Sequence, residues 1–358
     1  MTGALTIDLG AIRANWRALA GRVRPARCAA VVKADAYGLG LAQVAPALLA
    51  EGARVFFVAT AEEALAARAV LGESPAVFCF NGPDADTVDA LAEARVRPLL
   101  NGPEQVALAR AAARRRGAAY ACGLQLDTGM NRLGLEADEL AAALAEGLDG
   151  LDVGLAMSHL ACADDPAHPM NAAQRLAFAA MTAHPVLAGV PRSLSATGGA
   201  LLGPGFAFDL VRPGVGLYGG LPFADARPVV TLDVPVIQTR AVAPGEAVGY
   251  GATWVAERPS RIATIAAGYA DGLHRALSNR GGAFHAGRRL PFAGRVSMDL
   301  IGLDVTEAPD VSAGDRVTLL GPEQGVDALA AAAGTIGYEI LTSLGTRYAR
   351  RYVGASDP

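Results

Sequence analysis

Lysine is nearly absent from this sequence: Lys33 is the only one in 358 residues, and the other 30 basic side chains are arginine. The four cysteines, Cys28, Cys79, Cys122 and Cys162, include no C-x-x-C pair. That spacing excludes a zinc knuckle or a dithiol redox motif and reads as free core thiols in a reducing compartment. Five histidines, His159, His168, His184, His274 and His285, show no ligand spacing, so no metal is expected. Charged residues make up 18% of the chain, the net charge is −4, and the one basic cluster is Arg114-Arg115-Arg116. Nucleic acid is therefore not an expected partner. No stretch reaches 18 uninterrupted apolar residues, and the N-terminal residues lack a basic region followed by an apolar core. A membrane span or secretory leader is not expected, and the cytoplasm is the expected location.

What is abundant is apolar: 52% of the residues are hydrophobic, enough for a large core. Apolar runs at 30–33, 55–59, 76–80, 97–100, 119–127, 153–159, 193–197 and 210–218 read as eight strands. Between them lie Ala-rich amphipathic stretches such as 61–71, 84–94, 104–116 and 171–183, each long enough for a crossover helix. Asn81-Gly82-Pro83 and Asn101-Gly102-Pro103 each offer a proline to a helix start, where its missing N–H costs nothing. This alternation predicts an α/β fold with an N-terminal (β/α)8 barrel of the TIM type. A doubly wound open sheet is the competing architecture, because periodicity does not show closure. Beyond Pro222 the pattern changes to short alternating runs at 229–240, 261–267, 300–305 and 316–320, with one further helix at 326–333. The expected division is a barrel domain over 1–224 and a mainly β domain over 225–358, with which the short strand from Leu5 to Ile7 is able to pair.

The working residues of a barrel sit at the C-terminal ends of its strands. Here those ends carry Lys33, Asp127 to Arg132, His159, Thr197-Gly198-Gly199, and Arg212-Pro213-Gly214-Val215-Gly216. A guanidinium cannot replace an amine that must lose its proton and form an imine, so a sole lysine at a strand end points to a Schiff base. An ordinary strand-end lysine reaching solvent is the competing interpretation. Gly-rich loops after the seventh and eighth strands are where barrels bind phosphate, and lysine with a phosphate site suggests pyridoxal phosphate. Gly214 to Gly219 also fits G-x-G-x-x-G, but Gly220-Leu221-Pro222-Phe223 cannot open the helix that a dinucleotide fingerprint requires.

The segment from Val32 to Gly40 closely resembles the pyridoxal-phosphate attachment signature of alanine racemases. Seven further segments follow in that family's order: 126–134, 158–161, 211–214, 249–254, 268–272, 297–299 and 337–341. The resemblance implies a cytoplasmic homodimer with a shared active site that racemises alanine for cell-wall synthesis or catabolism. It implies that Lys33 holds pyridoxal 5'-phosphate and then acts as the base on one face of the α-carbon, with Tyr269 of the partner subunit as the base on the other. Phenols ionise near a pKa of about 10, so the implied phenolate must be stabilised, and His159 backed by Arg212 is the implied means. Arg212 would also face the pyridine nitrogen. Tyr37, His159, Thr197, Gly214, Val215 and Tyr338 match cofactor-binding positions; Arg132 and the Met298 backbone match positions that receive the substrate carboxylate. Three departures stand out: Gln125 replaces a lysine that some members carbamylate, Ala196-Thr197 stands where many have Asn-Ser, and Ser297 replaces a frequent cysteine. A racemase of serine or of broad specificity is the enzymatic alternative. A non-enzymatic pyridoxal-phosphate carrier on the same barrel is the other, disfavoured by the residues after Pro222.

Overall fold

The computed structural model describes residues 2–354, and it divides into two compact units. One comprises Arg13–Leu217 with Pro222–Asp225; the other comprises the remaining described residues, 2–12, Tyr218–Leu221 and 226–354.

The first unit is a parallel barrel. Its strands are Arg27–Cys28 continued by Ala30–Val31, then Val55–Val58, Ala76–Cys79, Arg97–Leu100, Tyr120–Gln125, Leu151–Met157, Arg192–Ser193 and Leu210–Val211. Neighbours pair in parallel from Ala30↔Phe56 through Met157↔Ser193. The ring closes because Asp209 N–H donates to the Arg192 carbonyl (3.1 Å), Arg212 N–H to Ser195 (2.8 Å), and Ala29 N–H to Val211 (2.9 Å). Leu210 and Val211 pair in turn with Arg27 and Cys28. Closure decides against the open sheet. Val55–Val58 is buried along its whole length, hence on both faces, as its continuous apolar run requires.

Several elements are shorter than their apolar runs predict. Thr197–Leu201 is a helix and Val215–Tyr218 a 3-10 turn, so strands seven and eight stop at Ser193 and Val211. Pro103 does open the helix Pro103–Arg116, whose C-cap is Gly117 at φ 63°. Pro83 does not open a helix: Asp84 turns its carboxylate onto the N–H groups of Asp86 and Thr87 and the Thr87 hydroxyl, and the helix waits until Val88–Glu93. A helix at Ala137–Ala145 completes the alternation after the fifth strand.

The second unit is built around the 13-residue strand Val230–Val242. Its first half pairs antiparallel with Ala4–Asp8 and Arg316–Leu320, its second with Ser260–Ile265. Ala4–Asp8 is sandwiched, since Ala349–Val353 runs parallel along its other edge. Alternation along Ala4–Asp8 buries Leu5 and Ile7 completely, worth roughly 1.5–3 kcal/mol each. Ile301–Asp304 extends the sheet beyond Ser260–Ile265. No helix among the described residues is long and apolar enough to cross a membrane.

Candidate active site

In the barrel unit, Lys33 lies two residues past its strand, where the chain turns in an uncommon way. Ala34, Asp35, Ala36 and Tyr37 all have φ between 52° and 57°, four successive left-handed residues. Each such L-residue costs roughly 1–2 kcal/mol, so the turn needs outside support. Glu63 supplies it: one carboxylate oxygen accepts from Ala34 N–H (2.7 Å), the other from Ala59 N–H at the end of the second strand (2.7 Å). The Asp35 carboxylate accepts from Leu41 N–H (2.7 Å), anchoring the far side of the turn. Burial, then the charge of Arg132, pull the Lys33 amine below its ordinary pKa, while Glu63 opposes them. Its Nζ stands 5.9 Å from the centre of the Phe80 ring.

Arg212 is 1% exposed, and no carboxylate among the described residues pairs with it. Its guanidinium donates to the Ser193 hydroxyl, to the Ser158 carbonyl (2.7 Å) and, at 3.4 Å, to the Leu194 carbonyl and His159 Nδ1. Phe57, stacked between Phe78 and Phe80, lies 5.9 Å from its carbon centre. Burial alone lowers Arg212 to about 9, which leaves it a cation at neutral pH. Burial first, then the charges of Arg212, Arg132 and Lys33, lower His159 to about 3, so its imidazole is neutral. With Nδ1 turned to a donor, the ring proton belongs on Nε2.

The turn after Lys33 also brings Tyr37 over the last strand. A Cβ built at Gly214 would overlap the Tyr37 hydroxyl, so only glycine fits there. The Thr197 hydroxyl accepts from the N–H groups of Gly214 and Gly216, each at 3.2 Å. Tyr37, Thr197, Gly214 and Val215 thus share one corner of the barrel mouth. On the opposite loop, Asp127 gathers the N–H groups of Gly129, Met130 and Asn131 on one oxygen, and Leu126 and Leu135 bridge its ends. The loop leaves Arg132 exposed. Gln125 donates its amide to the Leu133 carbonyl (3.3 Å), bracing the backbone beside Arg132.

Tyr269, Met298 and Tyr338 belong to the β unit. Tyr269 opens a 3-10 turn, Tyr269–Asp271, and is 44% exposed; Met298 is 53% exposed on the adjoining segment. The two segments are joined by Tyr269 N–H to the Ser297 carbonyl and Ala270 N–H to Met298, both 3.0 Å. Tyr338 is half-buried at the start of the helix Gly337–Ser343.

Sequence reasoning passed over Glu63 and Gln174. Thr60 caps the helix Ala61–Leu71, and Glu63 stands three residues on, the spacing of a capping box; that was the available signal. Gln174 is buried and ties Ala161 N–H, the His159 carbonyl and the Thr128 hydroxyl together, with nothing in its helical setting to mark it.

Residues 7–222 match the family model of the alanine racemase N-terminal domain, and 229–352 that of the C-terminal domain. The chain is 55% identical over 355 residues to an alanine racemase of Dinoroseobacter shibae, covering 99% of each. Among solved structures it resembles alanine racemase from Bartonella henselae with covalently bound pyridoxal phosphate, at 40% identity and a TM-score of 0.94, covering 99% of this chain and 100% of that one. Alanine racemase from a D-cycloserine-producing Streptomyces lavendulae matches at 35% identity and a TM-score of 0.93, over 99% and 97% of the two chains.

Proposed function

Because the chain belongs to the alanine racemase family, we propose that it interconverts L- and D-alanine with pyridoxal 5'-phosphate bonded to Lys33. The observation that carries the reading is the chain's sole lysine, its amine lowered by burial, at the mouth of a barrel in which the fully buried cation Arg212 has no carboxylate partner among the described residues. The donor set fits this cofactor. A dianionic phosphate suits the corner of Tyr37, Thr197, Gly214 and Val215, and an uncompensated guanidinium suits a ring nitrogen that is to accept a hydrogen bond; Tyr338, in the β unit, matches a further cofactor-binding position of the family. When bound, pyridoxal phosphate supplies the electron sink that acidifies the α-C–H of an attached amino acid.

The chain's own groups do the rest. Arg132 and the Met298 N–H receive the substrate carboxylate and fix which way the α-proton points. Racemisation removes a proton from one face and returns one to the other, so two bases on opposite faces suffice. Lys33 Nζ takes or returns the proton on the D-alanine face. Tyr269 Oη, from the partner subunit, does so on the L-alanine face. His159, neutral with its proton on Nε2, donates toward the phenolate oxygen. Arg212 fixes that tautomer and, because it stays charged, would keep the ring nitrogen of the cofactor unprotonated, which would limit competing chemistry such as transamination. Exposed Tyr269 and Met298 in the β unit support a site completed in a homodimer. D-Alanine so formed serves cell-wall synthesis, or the reverse reaction serves catabolism.

Protein loaded with pyridoxal phosphate and incubated with a panel of L-amino acids in deuterated water tests this. Alanine is expected to gain α-deuterium and appear as the D-form. Preferential conversion of serine would move the substrate and keep the mechanism; bound cofactor with no α-exchange on any amino acid would overturn the reading.

A further inference from the structure

Three charged side chains in the β unit make a connection that the proposed chemistry does not itself use. Arg347 grips Asp271 with two parallel bonds, Nε to Oδ1 (2.6 Å) and Nη2 to Oδ2 (2.7 Å), and reaches Asp299 with its third nitrogen, Nη1 to Oδ1 (2.7 Å). Asp271 is 4% exposed and closes the Tyr269 turn, its Oδ2 also accepting from Gly268 N–H (2.9 Å). Asp299 directly follows Met298. The planar fork of an arginine is the side chain suited to holding two carboxylates in a fixed relative position, which a lysine ammonium does not reproduce.

The rest of the local packing shows how tightly the two segments are held. A Cβ at Gly268 would overlap the carbonyls of Ser297 and Met298, so the turn lies flat against the Met298 segment. Gly345 N–H donates to the Asp271 carbonyl (3.2 Å), which brings the stretch bearing Arg347 onto the same turn. Half of Arg347 and of Asp299 is exposed, so their pair adds little energy; its effect is geometric. Asp271 differs, because removing its arginine leaves a buried carboxylate with one backbone donor.

We propose that Arg347 is a positioning residue that fixes the Tyr269 hydroxyl relative to the Met298 backbone, and so sets the distance between one base and the substrate carboxylate. The inference rests on the roles given above to Tyr269 and Met298. A displacement of 1 Å in a reacting group can cost about a hundredfold in rate. Loss of the clamp should fall on the face served by Tyr269 and spare the face served by Lys33.

The readout is the rate of α-deuterium exchange from L-alanine relative to D-alanine in cofactor-loaded protein, measured in wild type, Tyr269→Phe, Arg347→Ala, Arg347→Lys and Asp299→Ala. Arg347→Ala is expected to lower the L-to-D exchange ratio roughly ten- to hundredfold, with Arg347→Lys and Asp299→Ala between it and wild type and the bound-cofactor spectrum unchanged. A general loss of structure would lower both rates together, and a wild-type ratio in Arg347→Ala overturns the clamp. If Arg347→Ala does not fold, Asp299→Ala, which removes only the exposed leg, decides by the same criterion. Tyr269→Phe separates the two failures. A lowered ratio there with a wild-type ratio in the clamp variants overturns the clamp alone, and a wild-type ratio in Tyr269→Phe overturns the base assignment and the clamp with it.

Discussion

His159 shows how burial first, and then the buried charge of Arg212 beside it, set the state of a side chain. The native imidazole at about 3 binds fewer protons than an unfolded histidine at 6.5 across that whole interval. The unfolded state therefore gains protons as pH falls from 6.5 toward 3, and stability drops along that limb. Melting temperatures measured between pH 8 and 4 should fall in wild type, and His159→Asn should flatten the slope; an identical slope in the variant would show that His159 is not buried neutral. Sequence reasoning reached these residues because they follow strand ends in a regular alternation, and reached Lys33 because it is alone. It did not reach Glu63, whose Ala34 N–H partner lies 29 residues back, or Gln174, whose partners at Ala161, His159 and Thr128 lie 13 to 46 residues back; these segments meet only once the barrel has formed. Nor did it settle the use of Gln125: an amide there can brace a guanidinium or a backbone, and only the course of the 126–135 loop shows that it takes the Leu133 carbonyl.

Among the elements, the left-handed turn at 34–37 departs furthest from its local sequence. Ala34-Asp35-Ala36-Tyr37 has two alanines, the residue that most favours the right-handed helix, so nothing local asks for positive φ. The turn exists because Glu63 and the Asp35 carboxylate hold its two sides. Glu63→Ala removes two charge-assisted acceptors and should weaken cofactor retention on Lys33 by roughly tenfold, the equivalent of one such bond, read as the free cofactor needed to restore the visible absorbance. Retention equal to wild type would mean the turn stands without it. The strand positions were legible from their apolar runs. Their ends were not: hydrophobicity continues past Ser193 and Val211 into Thr197–Leu201 and Val215–Tyr218, which are also buried, and an apolar run does not report the dihedral angles within it.

At the scale of the whole molecule, the shared-site reading makes a demand on assembly. Lys33→Ala and Tyr269→Ala each remove one base, so neither homodimer should racemise. A mixed dimer should hold one site with both lesions and one with neither, and mixing the variants should recover up to about a quarter of wild-type activity if subunits exchange at random: half of the dimers are mixed, each with one of two sites intact. No recovery from isolated heterodimers would place both bases in the same subunit. The sandwiched position of Ala4–Asp8 has a different consequence, for the order in which the protein is made. A ribosome adds about 5–20 residues per second, so this strand leaves the exit tunnel roughly ten to forty seconds before Val230–Val242 is synthesised, and its parallel partner Ala349–Val353 comes later still. Throughout that interval Leu5 and Ile7 have no sheet to enter. The nascent chain carries an apolar strand with neither edge paired, and for most of that time the barrel is incomplete as well, because its last strand, Leu210–Val211, is made only shortly before Val230.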